Sequence, residues 1–131
     1  MTNKKDGLRF ERRLCDILHR NGFWVHNIAQ NHAGQPFDII ASKNNRAVIM
    51  DAKVCKNDRF PLSRIEENQR YAMNLWLKTG NSKAWFALEL ADGDIFMMDY
   101  KYLQNWEKAS LNEDDIIYYG VLLNSWLEDY T

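Results

Sequence analysis

The sequence predicts one α/β (α+β) domain in which helices flank a mixed central sheet. Three observations predict it: two segments with apolar residues at helical spacing, five apolar runs of strand length, and two polar turns that each join two of these runs. The predicted order is α-β-β-β-α-β-β, followed by a C-terminal helical appendix. We expect a single domain over residues 1–131, with its core over about 7–100 and the appendix over about 101–131.

Two helices are predicted from spacing and end signals. The first covers residues 7–21, where Phe, Leu and Ile recur at helical intervals and an Asn-Gly pair follows as a stop signal. The second begins at Ser63, which forms an S-x-x-E capping pattern with Glu66, and it ends near Gly80. A short helix is predicted over 102–109.

Strands are predicted from apolar runs bounded by turn residues. The Asn44-Asn45 pair suits a two-residue hairpin turn because Asn tolerates positive φ, and Asp92-Gly93 is a second tight-turn signal. Residues 31–36 are a predicted loop, and the stretch 111–130 matches no element clearly. The predicted strands are 22–29, 37–41, 46–54, 83–90 and 95–100.

Composition excludes several classes of protein. A 46% hydrophobic and 13% aromatic content excludes a disordered chain. No apolar run approaches the roughly 18 residues of a membrane span, and the N-terminal stretch lacks the apolar centre of a secretory signal. Cys15 and Cys55 are most simply reduced thiols, so we expect a cytoplasmic protein.

The net charge of −1 conceals an uneven distribution. Of 18 acids and 17 bases, residues 107–131 hold six acids and one base, which leaves residues 1–106 with 12 acids and 16 bases, a net of +4. A basic body is compatible with nucleic-acid binding. Solvated charge without a partner is the alternative.

Charged residues interrupt the predicted hairpin. With the two asparagines as its turn, Asp38 falls opposite Asp51, where like charges about 5 Å apart destabilise a sheet unless something neutralises them. Lys53 projects from the same strand face as Asp51. A divalent cation fits, since Mg²⁺ prefers one or two carboxylates together with water and phosphate oxygens. The alternative is an exposed hairpin on which Asp51 and Lys53 form a solvated pair.

Two further polar residues lie on apolar stripes of the predicted helices. Gln69 lies within the stripe of the second helix, where a buried amide needs a partner, and Glu11 lies at the edge of the first. Each alone could be ordinary, as a satisfied core amide and a boundary residue. Together with the hairpin acids they indicate one shared site.

The order and spacing of these residues resemble a known nuclease core. The stretches FERRL, GFWVHNIA, GQPFDIIA, VIMDAKV and FPLSRIEENQRYA follow the PD-(D/E)XK pattern of the restriction-endonuclease-like fold. Over about residues 7–100 the chain is most similar to Holliday junction resolvases, both the compact archaeal type and the RecU type of bacteria and their phages.

This resemblance implies a role for each site residue. Asp38 and Asp51 match the metal-binding acids, joined by the backbone carbonyl of Ala52, and Lys53 matches the catalytic lysine. Glu11 matches the acid of the first helix, also near the metal, and Gln69 the polar residue of the second. The implied activity is Mg²⁺-dependent hydrolysis of phosphodiester bonds in branched DNA by a homodimer, with Mn²⁺ as a substitute and no small-molecule cofactor.

The chain departs from the family pattern in three ways, one of which is that its acidic segment after Trp106 has no counterpart there. Position 51 is Asp where Glu is usual, and there is no room for the basic stalk of the RecU type, which favours the compact form. Alternatives on the same fold are a restriction-type, flap or repair nuclease, or an idle nucleic-acid- or protein-binding module. The predicted dimer interface is the strand 95–100 with the segment 116–127, unless that segment packs on its own sheet. The predicted DNA contacts are Arg9, Arg12, Arg13, His32, Lys56, Arg59 and Arg64.

Overall fold

The computed structural model describes residues 3–28 and 35–130 and has a mixed six-stranded sheet at its centre. The strand order is β1-β2-β3-β5-β6-β8, and a separate two-stranded sheet pairs β4 with β7. This confirms the predicted α+β class and the predicted order of the main elements. The helices are α1 (Asn3–Arg20), α2 (Glu67–Lys78), α3 (Tyr100–Gln104), α4 (Glu113–Tyr119) and α5 (Leu123–Glu128). The strands are β1 (Trp24–Asn27), β2 (Ile39–Lys43), β3 (Arg46–Cys55), β4 (Phe60–Pro61), β5 (Ala84–Leu90), β6 (Ile95–Asp99), β7 (Ser110–Leu111) and β8 (Val121–Leu122).

The β2–β3 hairpin forms as its turn residues predict. Asn44 and Asn45 have φ angles of 53° and 64°, the left-handed values that a two-residue hairpin turn requires. Lys43 pairs with Arg46, and the antiparallel register continues to Ile39 opposite Met50. Asp38 directly precedes β2, and its N–H donates to the carbonyl of Met50 over 3.1 Å.

A parallel pair at the centre of the sheet connects the hairpin to the second half of the chain. β3 pairs in parallel with β5, with α2 in the connection between them, and β5 pairs antiparallel with β6. Every residue of β5 is buried, because helices and the C-terminal segment cover both faces of this strand.

Apolar side chains form one cluster on each face of the sheet. Along β3, Met50 faces the cluster of α1, whereas Ile49 faces the cluster of α2. This alternation follows from the two-residue period of a strand. It places the side chains of Asp51 and Lys53 on the same face as Ile49, toward α2.

The second helix begins later than its sequence pattern predicts, so the Ser63–Glu66 cap is wrong. Leu62–Arg64 form a 3₁₀ turn, and Glu66, with an extended backbone, is the N-cap of α2. The N–H of Glu66 donates to the side-chain Oε1 of Gln69 over 3.1 Å, which completes a capping box three residues downstream of the predicted one.

The C-terminal segment becomes part of the core. In place of the helix predicted over 102–109, α3 ends at Gln104, and the unassigned stretch forms β7, α4, β8 and α5. Trp126 stacks on Phe23 with ring centroids 5.7 Å apart, and Tyr130 contacts both rings. Across the described ranges, no helix has the length and apolar content needed to span a membrane.

Candidate active site

Four elements meet around an open cavity of about 250 Å³. β3 contributes Asp51 and Lys53, α1 contributes Glu11, and α2 contributes Gln69. Asp38, which directly precedes β2, completes this part of the lining. The structure therefore brings together all five predicted catalytic residues. The cavity is also lined by Gly7, Gln35, Ala52, Val54, Arg64 and Glu66.

Asp51 lies at the bottom of this cavity and is 1% exposed. Its Oδ1 accepts a hydrogen bond from Gln69 Nε2 over 3.1 Å, and the ammonium of Lys53 lies 3.1 Å from Oδ2. Oδ2 nevertheless accepts no hydrogen bond from the described residues. Burial raises the pKa of Asp51 well above its usual value, and the negative charge of Asp38 raises it further. The alternative of a solvated Asp51–Lys53 pair on an exposed hairpin is therefore excluded.

Asp38 is held by two donors. Its Oδ1 accepts from Gln35 Nε2 and its Oδ2 from the backbone N–H of Ala52, both over 2.8 Å. The second bond directs the carboxylate along β3 toward the residue after Asp51. The predicted juxtaposition of the two acids thus occurs at the end of the β2–β3 ladder.

Glu11 forms the α1 side of the cavity and is buried. Burial raises the pKa of Glu11 to about 7, the charge of Asp38 adds to this rise, and the charge of Lys53 opposes it. In the metal-free protein this carboxyl group therefore changes between its protonated and charged forms near neutral pH.

The donor set fits a divalent cation that completes its coordination with water and substrate. Among the residues the structure describes, no three His, Cys, Asp or Glu side chains lie close enough to hold an ion by themselves. Asp38 and Asp51 offer two carboxylates, one with an oxygen that is buried and lacks a hydrogen bond. Mg²⁺ commonly binds one or two carboxylates and keeps several waters. A two-carboxylate site is thus sufficient, and Glu11 is adjacent to it.

The raised pKa values predict how the stability of the metal-free protein depends on pH. The native state holds the Glu11 proton up to pH about 7, whereas an ordinary glutamate releases it near 4.5. The free energy of unfolding should therefore fall as pH rises from 4.5 to 7, and Asp51 acts in the same direction. Glu11→Gln should make the protein more stable than wild type at pH 8, in urea unfolding with a chelator present. Glu113→Gln, at an exposed site, is the control; identical pH profiles of Glu11→Gln and wild type would contradict the assignment.

Three of the predicted DNA contacts lie together beside the site. Lys56, Arg59 and Arg64 line a second cavity of about 290 Å³, and Arg64 also lines the cavity of the carboxylates. Arg64 Nη1 donates to the carbonyl of Val54 over 2.6 Å, which holds the guanidinium at the border between the two cavities. Lys56 Nζ lies 2.5 Å from Asp6 Oδ2.

Two arginines of α1, Arg9 and Arg13, share a partner that the sequence did not reveal. Arg9 Nη1 and Arg13 Nη1 donate to the buried Glu89 of β5, over 3.0 and 2.7 Å. Arg12 is exposed, and His32 lies outside the described residues. Arg9 and Arg13 are thus paired with Glu89 and do not line the cavity of Lys56, Arg59 and Arg64.

Gln35 is a site residue that sequence analysis missed. It is buried, lines the carboxylate cavity and bonds to Asp38. Its only signal is its position three residues before Asp38, in a predicted loop where polar residues are common. The same holds for Asn68, whose Nδ2 donates to the backbone carbonyl of Gln35 over 3.3 Å.

Comparison with known proteins agrees with the fold. A model of the archaeal Holliday junction resolvase (hjc) family matches residues 2–130. The structure is similar to that of Archaeoglobus fulgidus Hjc, a Holliday junction resolvase from an archaeal hyperthermophile, with 22% identity and a TM-score of 0.73, over 92% of this chain and 99% of that chain. No curated protein gave a match. The family match includes the C-terminal segment, for which the sequence resemblance had offered no counterpart.

Proposed function

Because the chain belongs to the archaeal Holliday junction resolvase family, whose members are nucleases that use divalent metal ions, we propose that it resolves four-way DNA junctions by Mg²⁺-dependent phosphodiester hydrolysis, with Mn²⁺ as a substitute. The observation that carries the proposal is the buried Asp51, whose Oδ2 faces Lys53 beside Asp38 without receiving a hydrogen bond. A buried carboxylate is costly unless it is paired or binds a metal. The ion pair with Lys53 still leaves the pKa of Asp51 well above its usual value because of burial and the charge of Asp38, so a bound cation would stabilise the charged carboxylate. DNA as the substrate also supports the expected cytoplasmic location.

Each residue of the cavity has a role in this proposal. Asp38, Asp51 and the carbonyl of Ala52 hold the cation, and Glu11 is a further ligand, directly or through water. When bound, such a cation activates water and stabilises the charge that develops on the phosphate. Lys53 Nζ holds a positive charge 3.1 Å from Asp51 Oδ2 and can donate to a phosphate oxygen. Gln69 Nε2 fixes the orientation of Asp51.

The DNA backbone passes through the neighbouring basic cavity. Arg64 borders both cavities, so a strand whose scissile phosphate lies at the carboxylates can place the adjoining phosphates near Lys56 and Arg59. We expect smaller contributions from Arg9 and Arg13, because both pair with the buried Glu89 and neither lines this cavity. Arg12 and His32 remain proposed contacts.

Salt dependence measures these phosphate contacts. Affinity should fall steeply with salt, with a log–log slope of about −0.9 for each phosphate contact. Arg59→Ala should weaken binding to every DNA and reduce the magnitude of the slope by about 1. Arg20→Ala, an exposed arginine at the far end of α1, is the matched control. A flat salt dependence for the wild type would indicate a partner other than nucleic acid.

The activity is tested directly with labelled four-way junctions, flaps, linear duplexes and single strands, each with Mg²⁺ and with chelator. We expect metal-dependent cleavage with a preference for the junction. Equal cleavage of flaps and junctions would reject junction resolution and favour a flap or repair nuclease. Tight DNA binding without cleavage of any substrate would favour the idle binding module.

We further propose that the protein acts as a homodimer, because resolving a junction requires two symmetric cuts and one domain has one site. Part of the predicted interface instead packs on its own sheet, since Ile116, Trp126 and Leu127 are buried. The outer face of α2 suits the interface better. It borders an apolar cavity of about 490 Å³, and Tyr71 and Leu75 are 70% and 50% exposed there. α4 also exposes Ile117, but its first turn carries three acids, Glu113, Asp114 and Asp115.

Leu75→Asp should therefore convert the dimer into a monomer at micromolar concentration. The matched control is Ile117→Asp on α4, because Ile117 and Leu75 are both 50% exposed in the single chain. Analytical ultracentrifugation measures the oligomeric state. Cleavage of a junction carried on a plasmid distinguishes single nicks from paired cuts. If Ile117→Asp yields the monomer and Leu75→Asp does not, the interface lies at the C-terminal segment.

A further inference from the structure

The two metal-binding acids are both supported from the first turn of α2. Gln69 Nε2 donates directly to Asp51 Oδ1 over 3.1 Å. The preceding residue, Asn68, donates to the backbone carbonyl of Gln35, whose own amide donates to Asp38 Oδ1 over 2.8 Å. Neighbouring residues of one helix thus reach both carboxylates, one directly and the other through Gln35.

Gln35 is placed to set the direction of the Asp38 carboxylate. Its side chain is buried, and its Nε2 bonds to one oxygen of Asp38 while the N–H of Ala52 bonds to the other. Two donors fixed on opposite oxygens prevent rotation of the carboxylate. Because a metal ligand must be oriented before the ion arrives, partners of this kind affect affinity although they do not touch the ion.

We infer that Gln35 is a positioning residue for the metal site, and that Asn68 fixes Gln35 through its backbone carbonyl. This inference rests on the proposed function, in which Asp38 and Asp51 hold the cation. It gives α2 a second role. Besides being capped by Gln69, the helix holds Asp51 directly and Asp38 through Gln35. Gln35 itself contacts neither substrate nor the reacting atoms in this assignment.

The test is Gln35→Met, which keeps the length of the side chain and removes the donor. Mn²⁺ binding is measured by calorimetry without DNA, so that the readout does not depend on cleavage. We expect affinity to fall about 10–100-fold, the usual effect of losing a partner of a metal ligand. Cleavage by the variant should recover toward the wild-type turnover rate as Mg²⁺ is raised, because the loss lies in metal binding. Gln104→Met, at an exposed glutamine of α3, is the matched control.

The outcomes separate this inference from the proposed function. Unchanged Mn²⁺ affinity in folded Gln35→Met would overturn the positioning role. If Gln35→Met does not fold, Mn²⁺ affinity is measured in Asn68→Ala instead, because Asn68 is exposed. A several-fold weaker affinity supports the inference, and wild-type affinity overturns it. A wild-type protein that binds Mn²⁺ but cleaves no DNA would reject the proposed function while leaving the calorimetric comparison valid.

Discussion

Asp51→Asn is expected to abolish DNA cleavage while DNA binding stays equal or becomes tighter. The substitution keeps the size of the side chain but removes a carboxylate oxygen of the proposed metal site and the negative charge that this carboxylate carries when ionised. A bound metal supplies several kcal/mol of transition-state stabilisation, so turnover should fall by about 10³-fold or more. Single-turnover cleavage of the preferred junction and a binding titration with chelator measure the two effects separately.

The same variant has a second consequence in the metal-free protein. Since Asp51 is buried and its pKa is raised, Asp51→Asn removes a carboxyl group that is costly to ionise and should not destabilise the fold at pH 8. Asp114→Asn, at an exposed position of α4, removes one negative charge without affecting the site and should cleave normally. Full activity of Asp51→Asn on the best wild-type substrate would refute its role as a metal ligand.

Lys53→Ala is the second substitution with a large expected effect, a fall in turnover of about 10²–10³-fold with little loss of fold stability. The side chain lines the cavity with its ammonium 3.1 Å from Asp51 Oδ2, so its loss should affect cleavage more than packing. Lys53→Arg should fail as well, because a planar guanidinium is larger and cannot replace a compact ammonium 3.1 Å from Asp51 Oδ2.

The controls for Lys53 address charge and folding separately. Lys78→Ala, at an exposed lysine near the end of α2, should retain wild-type turnover. Urea unfolding of Lys53→Ala should show that the fold is intact. If Lys53→Arg cleaves at the wild-type rate, the lysine serves only as a general positive charge.

The parts of the site that sequence predicts well are those fixed by local geometry. The Asn44-Asn45 turn determines the hairpin register, and that register brings Asp38 to the end of the ladder near Asp51. Strand alternation then places Lys53 on the same face as Asp51. Gln69 is recognisable because an amide within an apolar helical stripe needs a buried partner, which is Asp51.

The parts that sequence predicts poorly depend on distant partners. Glu89 is the sixth residue of a buried strand, and only the packing of α1 against the sheet shows that it pairs with Arg9 and Arg13. The cap of α2 was misplaced because two capping patterns overlap in sequence, and the extended backbone at Glu66 selects the second. The elements beyond Gln104 are short, so their stability comes from tertiary packing rather than from local propensity.

The late position of β8 and α5 in the chain affects how the protein matures during synthesis. β8 adds the last strand to the sheet, and Trp126 and Tyr130 pack on Phe23, which is about a hundred residues earlier. A nascent chain can form α1 and the β2–β3 hairpin early. The apolar cluster of α1, however, remains incomplete until residues 121–130 have been synthesised. Prematurely terminated products would therefore contain every proposed catalytic residue and still lack a complete core, so they should not be active nucleases.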